Sequence, residues 1–143
     1  MTIPTDAGRR DRPVSSREAT ARSTAERDAV EATIADYYLG WYDGDPDRMA
    51  RALHPDLVKR GWLHDPSGAL TVDGDTFESM VEWTRRGAGR TPDPVARRYD
   101  VRAVEIHDDI ASACVYAVPY VDYLHLVRTE DGWRILHALW RRP

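Results

Sequence analysis

At 143 residues the chain is long enough for one hydrophobic core and too short for a second catalytic domain, since single cores serve chains of about 100 to 200 residues. Apolar residues make up 42% and charged residues 31%, as in soluble globular proteins, and no apolar run approaches the roughly 18 to 20 residues of a membrane helix. The 20 Lys and Arg against 24 Asp and Glu leave a net charge of -4 and no basic excess for a phosphate backbone, so neither nucleic acid nor membrane is an expected partner.

The single cysteine, Cys114, excludes an intrachain disulfide and a cysteine-cluster zinc site, which fits a reducing compartment. The opening residues lack the apolar stretch of a secretory signal, and the expected location is the cytoplasm. There is no Asn and no Gln, so polar recognition in any pocket falls to hydroxyls, carboxylates, imidazoles, cations, indoles or backbone. Lys59 is the only lysine; the other 19 of the 20 Lys and Arg residues are arginine.

Residues 1 to about 22 carry few large apolar groups and are expected to form a disordered or loosely docked tail, with a single domain over 23–143. Ser23-Thr24-Ala25-Glu26 has capping-box spacing and predicts the start of a long helix. Val30, Ile34, Tyr37, Tyr38 and Trp41 give that helix a face first aliphatic and then aromatic, until Gly44 stops it. Asp45-Pro46 then pairs a cap with a first-turn proline for a short second helix through Met49 and Leu53 that Pro55 ends. From Leu57 to Leu63 the side chains alternate, with Val58, Arg60 and Trp62 on one face and Leu57, Lys59, Gly61 and Leu63 on the other.

After an Asp65-Pro66-Ser67-Gly68 turn, Ala69 to Val72 returns as the partner strand, and Asp75 with Glu78 caps a third helix through Phe77, Met80, Val81 and Trp83. The last third reads as a meander of four strands, Arg98 to Ile106, Ile110 to Pro119, Val121 to Arg128 and Trp133 to Trp140, joined by short turns. The layout ααββαββββ is an α+β domain with three helices packed on one face of a strongly curved mixed, mostly antiparallel sheet.

The helix end Tyr37-Tyr38-Leu39-Gly40-Trp41-Tyr42-Asp43-Gly44-Asp45, the passage Leu53-His54-Pro55-Asp56-Leu57 and the closing Asp131-Gly132-Trp133-Arg134-Ile135 to Trp140 resemble the NTF2-like superfamily. His54-Pro55-Asp56 to Lys59-Arg60 and Asp122-Tyr123-Leu124-His125-Leu126 are most similar to its SnoaL-like branch named "putative lumazine-binding". The resemblance covers about residues 24 to 141 and implies a cone-shaped fold with a pocket between the long helix and the concave sheet. That fold hosts isomerases, cyclases, dehydratases and non-catalytic members alike, so it specifies the architecture better than the activity.

By resemblance to ketosteroid isomerase, a distant relative, Tyr37 falls at an oxyanion-hole tyrosine and His125 at a protonated aspartic acid, giving a phenol and an imidazole as donors. The same comparison puts Gly61 where a carboxylate base would stand, a departure that argues against a simple steroid-type isomerase. Lys59 and Arg60 offer positive charge beside it, suited to an anionic or enolisable ligand. They alternate faces, so at most one readily points inward, and the plain alternative is a surface pair.

SnoaL-like cyclases use an aspartate and a histidine from such strands, which implies Asp122 and His125 here. Three residues apart on a regular strand they face opposite ways, and only a bulge near Tyr120, beside Pro119, would bring both to one cavity. Of the two, His125 is the expected acid or base, because an imidazole titrates near neutral pH; otherwise it is a hydrogen-bonded strand histidine. Tyr38, Trp41, Trp62, Tyr116 and Trp140 are candidate pocket linings for a flat ligand, or else parts of a dimer interface or core rim.

Other motifs fail. Asp43, Asp45 and Asp47 open like a calcium loop but have Arg48 and His54 where glycine and glutamate are needed. Gly87-Ala88-Gly89 lacks a third glycine and follows a helix. The five histidines show no zinc spacing, and no metal or other cofactor is expected. The leading expectation is a cofactor-independent isomerase, cyclase or dehydratase (a lyase) acting on a cyclic or aromatic carbonyl or hydroxyl compound. Its rival is a non-catalytic ligand-binding or homodimeric assembly module, with the cavity plugged by Trp62, Tyr116 and Trp140. A homodimer is implied in both.

Overall fold

The computed structural model describes residues 13–142. Helix α1 (Ser16–Asp43) leads into α2 (Pro46–Ala52), β1 (Leu53–His64), β2 (Leu70–Asp75) and α3 (Phe77–Arg85). A 3-10 turn (Pro94–Arg97) precedes β3 (Tyr99–His107), β4 (Ile110–Ala117), β5 (Val121–Thr129) and β6 (Gly132–Arg141). The expected order of helices and strands is therefore present.

Helix α1 starts earlier than its second capping box predicts. Ser15 caps it, accepting from the Glu18 amide while the Glu18 carboxylate accepts from the Ser15 amide. The motif at Ser23 has the same spacing, but no Gly or Pro separates the two, so the first one nucleates and the helix runs through the second. Residues 16–25 are exposed throughout, and the part of the expected tail at residues 1–12 lies outside the described residues. At the other end Gly44 adopts φ 64°, and its amide returns to the Gly40 and Trp41 carbonyls.

Helices α1 and α2 pack closely because Gly40 has no side chain: a Cβ there would sit 3.0 Å from the Met49 backbone nitrogen. Asp36 locks the pair, accepting from Arg48 Nε at 2.9 Å and from Arg51 Nε and a terminal guanidinium nitrogen at 3.0 Å each. Strand β1 begins at Leu53, directly after α2 and before the expected Leu57; its ladder to β6 skips 54–57, where Pro55 has no amide to donate. Thr76, not Asp75, caps α3 with Ser79 as its reciprocal partner, and Asp75 closes β2. The 3-10 turn carries the Asp93-Pro94 cap seen earlier at Asp45-Pro46.

The six strands lie in the order β2-β1-β6-β5-β4-β3. Only β1 and β6 are parallel; the other four neighbouring pairs are antiparallel, which makes the sheet mixed as expected. Alternation assigns Leu57, Lys59 and Gly61 of β1 and Asp122, Leu124 and Leu126 of β5 to the helix-covered face. The core there joins Val30, Ile34 and Met49 to Leu53, Val115, Leu124, Leu126 and Ile135. Thr33 ties α1 to β6 by donating to the Trp133 carbonyl at 3.0 Å.

Register shifts lie at Val101/Ala103 in β3 and opposite His125/Leu126, where Leu136 of β6 is the extra residue. Bulges bend a strand and increase its twist, which helps the sheet curve over the helices. Strand β5 itself stays regular, so nothing turns His125 onto the face of Asp122. Among the described residues no helix is long and apolar enough to cross a membrane.

The Arg51 and Arg48 guanidiniums hold the Asp36 carboxyl below the usual carboxylate range. A depressed folded pKa stabilises the fold above the unfolded value and loses that contribution as pH falls through the folded one. Asp36→Ala should therefore cost about 1 kcal/mol at neutral pH, with the gap to wild type closing below about pH 4, as read by urea denaturation at several pH values.

Candidate functional site

Two consecutive tyrosines of α1 reach two different strands. One helical residue is about 100° from the next, so Tyr37 and Tyr38 diverge, with rings edge to face at 5.0 Å. Tyr37 meets Lys59 of β1, whose Nζ donates to the phenol oxygen at 2.5 Å. Tyr38 donates to Asp122 Oδ2 of β5 and stacks on Tyr99 at 4.9 Å. Strand β6 runs between β1 and β5, and its Ala138 pairs with Lys59 and with Leu124. A hollow of about 80 Å³ opens beside the four polar groups. Trp41, Trp83, Tyr120 and Trp140 supply its aromatic walls.

Burial sets the electrostatics. Asp122 is 2% exposed, and its Oδ1 has no hydrogen-bond partner. Burial pushes its pKa up, against the opposing pull of the Lys59 charge and the Tyr38 hydrogen bond. Lys59 moves the other way: burial lowers its pKa, opposed by the charges of Asp122 and Asp75. Burial followed by Asp122 raises both Tyr37 and Tyr38, so the phenols stay protonated. Because Lys59 already donates to the Tyr37 oxygen, the Tyr37 proton is free for another acceptor. The arrangement can donate a proton, accept one, and hold negative charge on a ligand oxygen.

Of the candidate residues, Tyr37, Tyr38, Trp41, Lys59, Asp122 and Trp140 line this hollow. His125 does not: it lies on the outer face of β5, with its Nδ1 3.3 Å from Nδ1 of His137. Strand parity separates it from Asp122, since β5 runs without the bulge expected near Tyr120 and the extra residue in this ladder, Leu136, is on β6. The donor pair inside is phenol and carboxyl instead of phenol and imidazole. Arg60 and Trp62 share the outer face of β1, and Tyr116 lies outside on β4 under the Arg102 guanidinium, 3.8 Å from its ring centre. Trp62 and Tyr116 therefore do not plug the cavity. Among the described residues no group of three His, Cys, Asp or Glu is placed to hold a metal.

Asp75 is a site residue that the helix-cap reading hid. It lines the hollow, and its Oδ1 accepts from Ser79 Oγ at 2.9 Å and from Trp83 Nε1 at 3.2 Å. The hairpin contained the signal: a turn closed by the Asp65 amide and the Ala69 carbonyl sets a register in which Lys59 faces Asp75.

This architecture is shared with solved NTF2-like proteins. A protein of unknown function from Silicibacter pomeroyi is 21% identical, with 87% of this chain and 98% of that one covered at a TM-score of 0.66. One from Methylobacillus flagellatus is 18% identical over 83% and 93%, also at 0.66. A ketosteroid isomerase-like protein from Erwinia carotovora atroseptica is 15% identical over 82% and 95%, at 0.56. A search of curated proteins finds no match. Residues 25–141 match the family described as "Putative lumazine-binding", and the chain belongs to that family within the NTF2-like fold.

The Gly61 departure has a steric cause. The Trp140 indole covers Gly61, and a Cβ there would lie 2.7 Å from the ring. Gly61→Asp should displace Trp140 and cost about 1–3 kcal/mol in overpacking alone, seen as a lower denaturation midpoint together with changed tryptophan fluorescence.

Proposed function

We propose that the chain binds a small oxygen-bearing cyclic or aromatic compound in the hollow beside Asp122 and moves protons about its carbonyl or hydroxyl group without a cofactor. Isomerisation, cyclisation and dehydration are the reactions this chemistry serves. The observation that carries the reading is the buried carboxyl of Asp122, which is held through one oxygen and leaves the other unpartnered beside the hollow. An unsatisfied buried polar group costs about 1–3 kcal/mol, which a ligand hydroxyl or carbonyl-derived O–H would recover.

In this reading Asp122 is the acid or base, its raised pKa keeping the protonated form available towards neutral pH. Tyr37 donates its free proton to the ligand oxygen, and Lys59 offsets charge that develops there. Tyr38 orients the carboxyl. The indoles of Trp41, Trp83 and Trp140 suit a flat ligand. The family description and the NTF2-like fold support ligand binding.

Native mass spectrometry of protein purified from its own host should detect a retained compound. With that compound as substrate, Asp122→Asn should lower turnover about a hundredfold or more, while His125→Ala, outside the hollow, should leave it unchanged. If protonated Asp122 is the donor, the rate falls as pH rises through its elevated pKa, and Asp122→Asn lacks that limb. A compound released chemically unchanged by wild type would leave a binding protein and remove the enzyme.

The outer sheet face favours a further element of this reading, a homodimer. Val58, Val72, Ile110, Tyr123 and Leu139 are 43–60% exposed there, an apolar face of the kind that pairs with a second copy. Sedimentation at micromolar concentration should give a dimer, and Tyr123→Asp with Leu139→Asp a folded monomer. A monomeric wild type would overturn it.

A further inference from the structure

In a chain with 19 arginines and a single lysine, that lysine lies in the hollow. Lys59 stands on the inner face of β1, with its Nζ on the Tyr37 phenol and 5.2 and 5.5 Å from the Tyr37 and Trp140 ring centres. If the position served only to attract an anion, the guanidinium used everywhere else would do so with more donors. What lysine has and arginine lacks is a nitrogen that can lose its proton and expose a lone pair. The surroundings favour that loss, because burial disfavours the ammonium. They also supply proton donors in the Tyr37 phenol and the Asp122 carboxyl.

We propose that Lys59 is a covalent carbonyl-capturing residue, forming an imine with a small aldehyde or ketone lodged in the hollow. This rests on the reading that the hollow is the ligand site and narrows the ligand class to small aldehydes and ketones, in keeping with a space of about 80 Å³. The neutral Nζ lone pair adds to the carbonyl carbon while the C=O π pair moves to oxygen, which takes a proton from Tyr37 or Asp122. Nitrogen returns one proton to the acid, the acid protonates the hydroxyl, and the C–O bond breaks with release of water. The product is an iminium on Lys59 beside a carboxylate on Asp122 or a phenolate on Tyr37, so charge and atoms balance. The iminium draws electrons from the adjacent carbon and acidifies its C–H bonds, for which the Asp122 carboxylate is the base. Activation by iminium would thus serve a site whose Gly61 position is closed to a carboxylate by Trp140.

The chain makes the test clean, since Lys59 is its only side-chain amine. The native protein is incubated at neutral pH with propanal and sodium cyanoborohydride, which reduces the imine to a stable secondary amine, and the Lys59-containing peptide is followed by mass spectrometry. The same reaction on the urea-unfolded chain is the reference. Burial raises the neutral fraction of Lys59, and the hollow holds the carbonyl beside its proton donors, so native Lys59 should label several-fold faster than unfolded Lys59. Asp122→Asn should reduce that advantage, and Lys59→Arg should abolish the side-chain label. A merely buried lysine labels more slowly folded than unfolded; that result, or equal rates, overturns the proposal. Native mass spectrometry of the retained compound reads the binding site separately: a bound compound with slow Lys59 labelling ends covalent capture and leaves the ligand site standing.

Discussion

The bridge from α1 to the sheet through Tyr37–Lys59 and Tyr38–Asp122 is the interaction on which the site depends. An amine and a carboxyl taken from water into one small space are costly unless each is hydrogen-bonded; here each meets a phenol, and burial shifts both towards their neutral forms. The geometry follows from two regularities. Neighbouring residues on a helix diverge by about 100°, and strands flanking a common neighbour lie about 10 Å apart, so adjacent tyrosines can serve β1 and β5 across β6. The hollow is bounded on one side by Trp140, whose indole takes the space that a side chain at Gly61 would fill.

The two faces of the sheet divide polar and apolar roles in an unusual way. The covered face carries the buried carboxyl and lysine along with the aliphatic core, whereas the outer face exposes valine, isoleucine, leucine and tyrosine side chains. In an isolated monomer the opposite distribution is the ordinary one. A buried polar cluster beside a hollow and an apolar surface facing outward are the two features from which the proposed ligand site and homodimer are argued.

Much of the fold was legible because it is written in local signals. The αL stop at Gly44, the Asp45-Pro46 cap, the alternation from Leu57 to Leu63 and the short turns of the final meander each act over a few residues. The misread features were contests between equivalent local signals. Two capping boxes of the same spacing competed for the start of α1, and Asp75 lost the cap of α3 to Thr76. The site was partly legible for the same reason. Helical spacing singled out Tyr37, Tyr38 and Trp41, and parity allowed one of Lys59 and Arg60, and one of Asp122 and His125, to face inward.

The sequence by itself determined which side chains travel together on a face, because helix and strand periodicity are properties of the backbone. Only the tertiary structure decided which face of β5 looks at α1, and so exchanged the expected imidazole at His125 for the carboxyl of Asp122. Alternation alone leaves that choice open, and the only extra residue in the β5–β6 ladder is Leu136 of β6, which leaves the parity of β5 unchanged. The choice depends on the packing of a strand far along the chain against the first helix. Neither the bulge nor this packing has a local signature, since a bulge is selected by the sheet's curvature as a whole and the contact joins residues 84 positions apart.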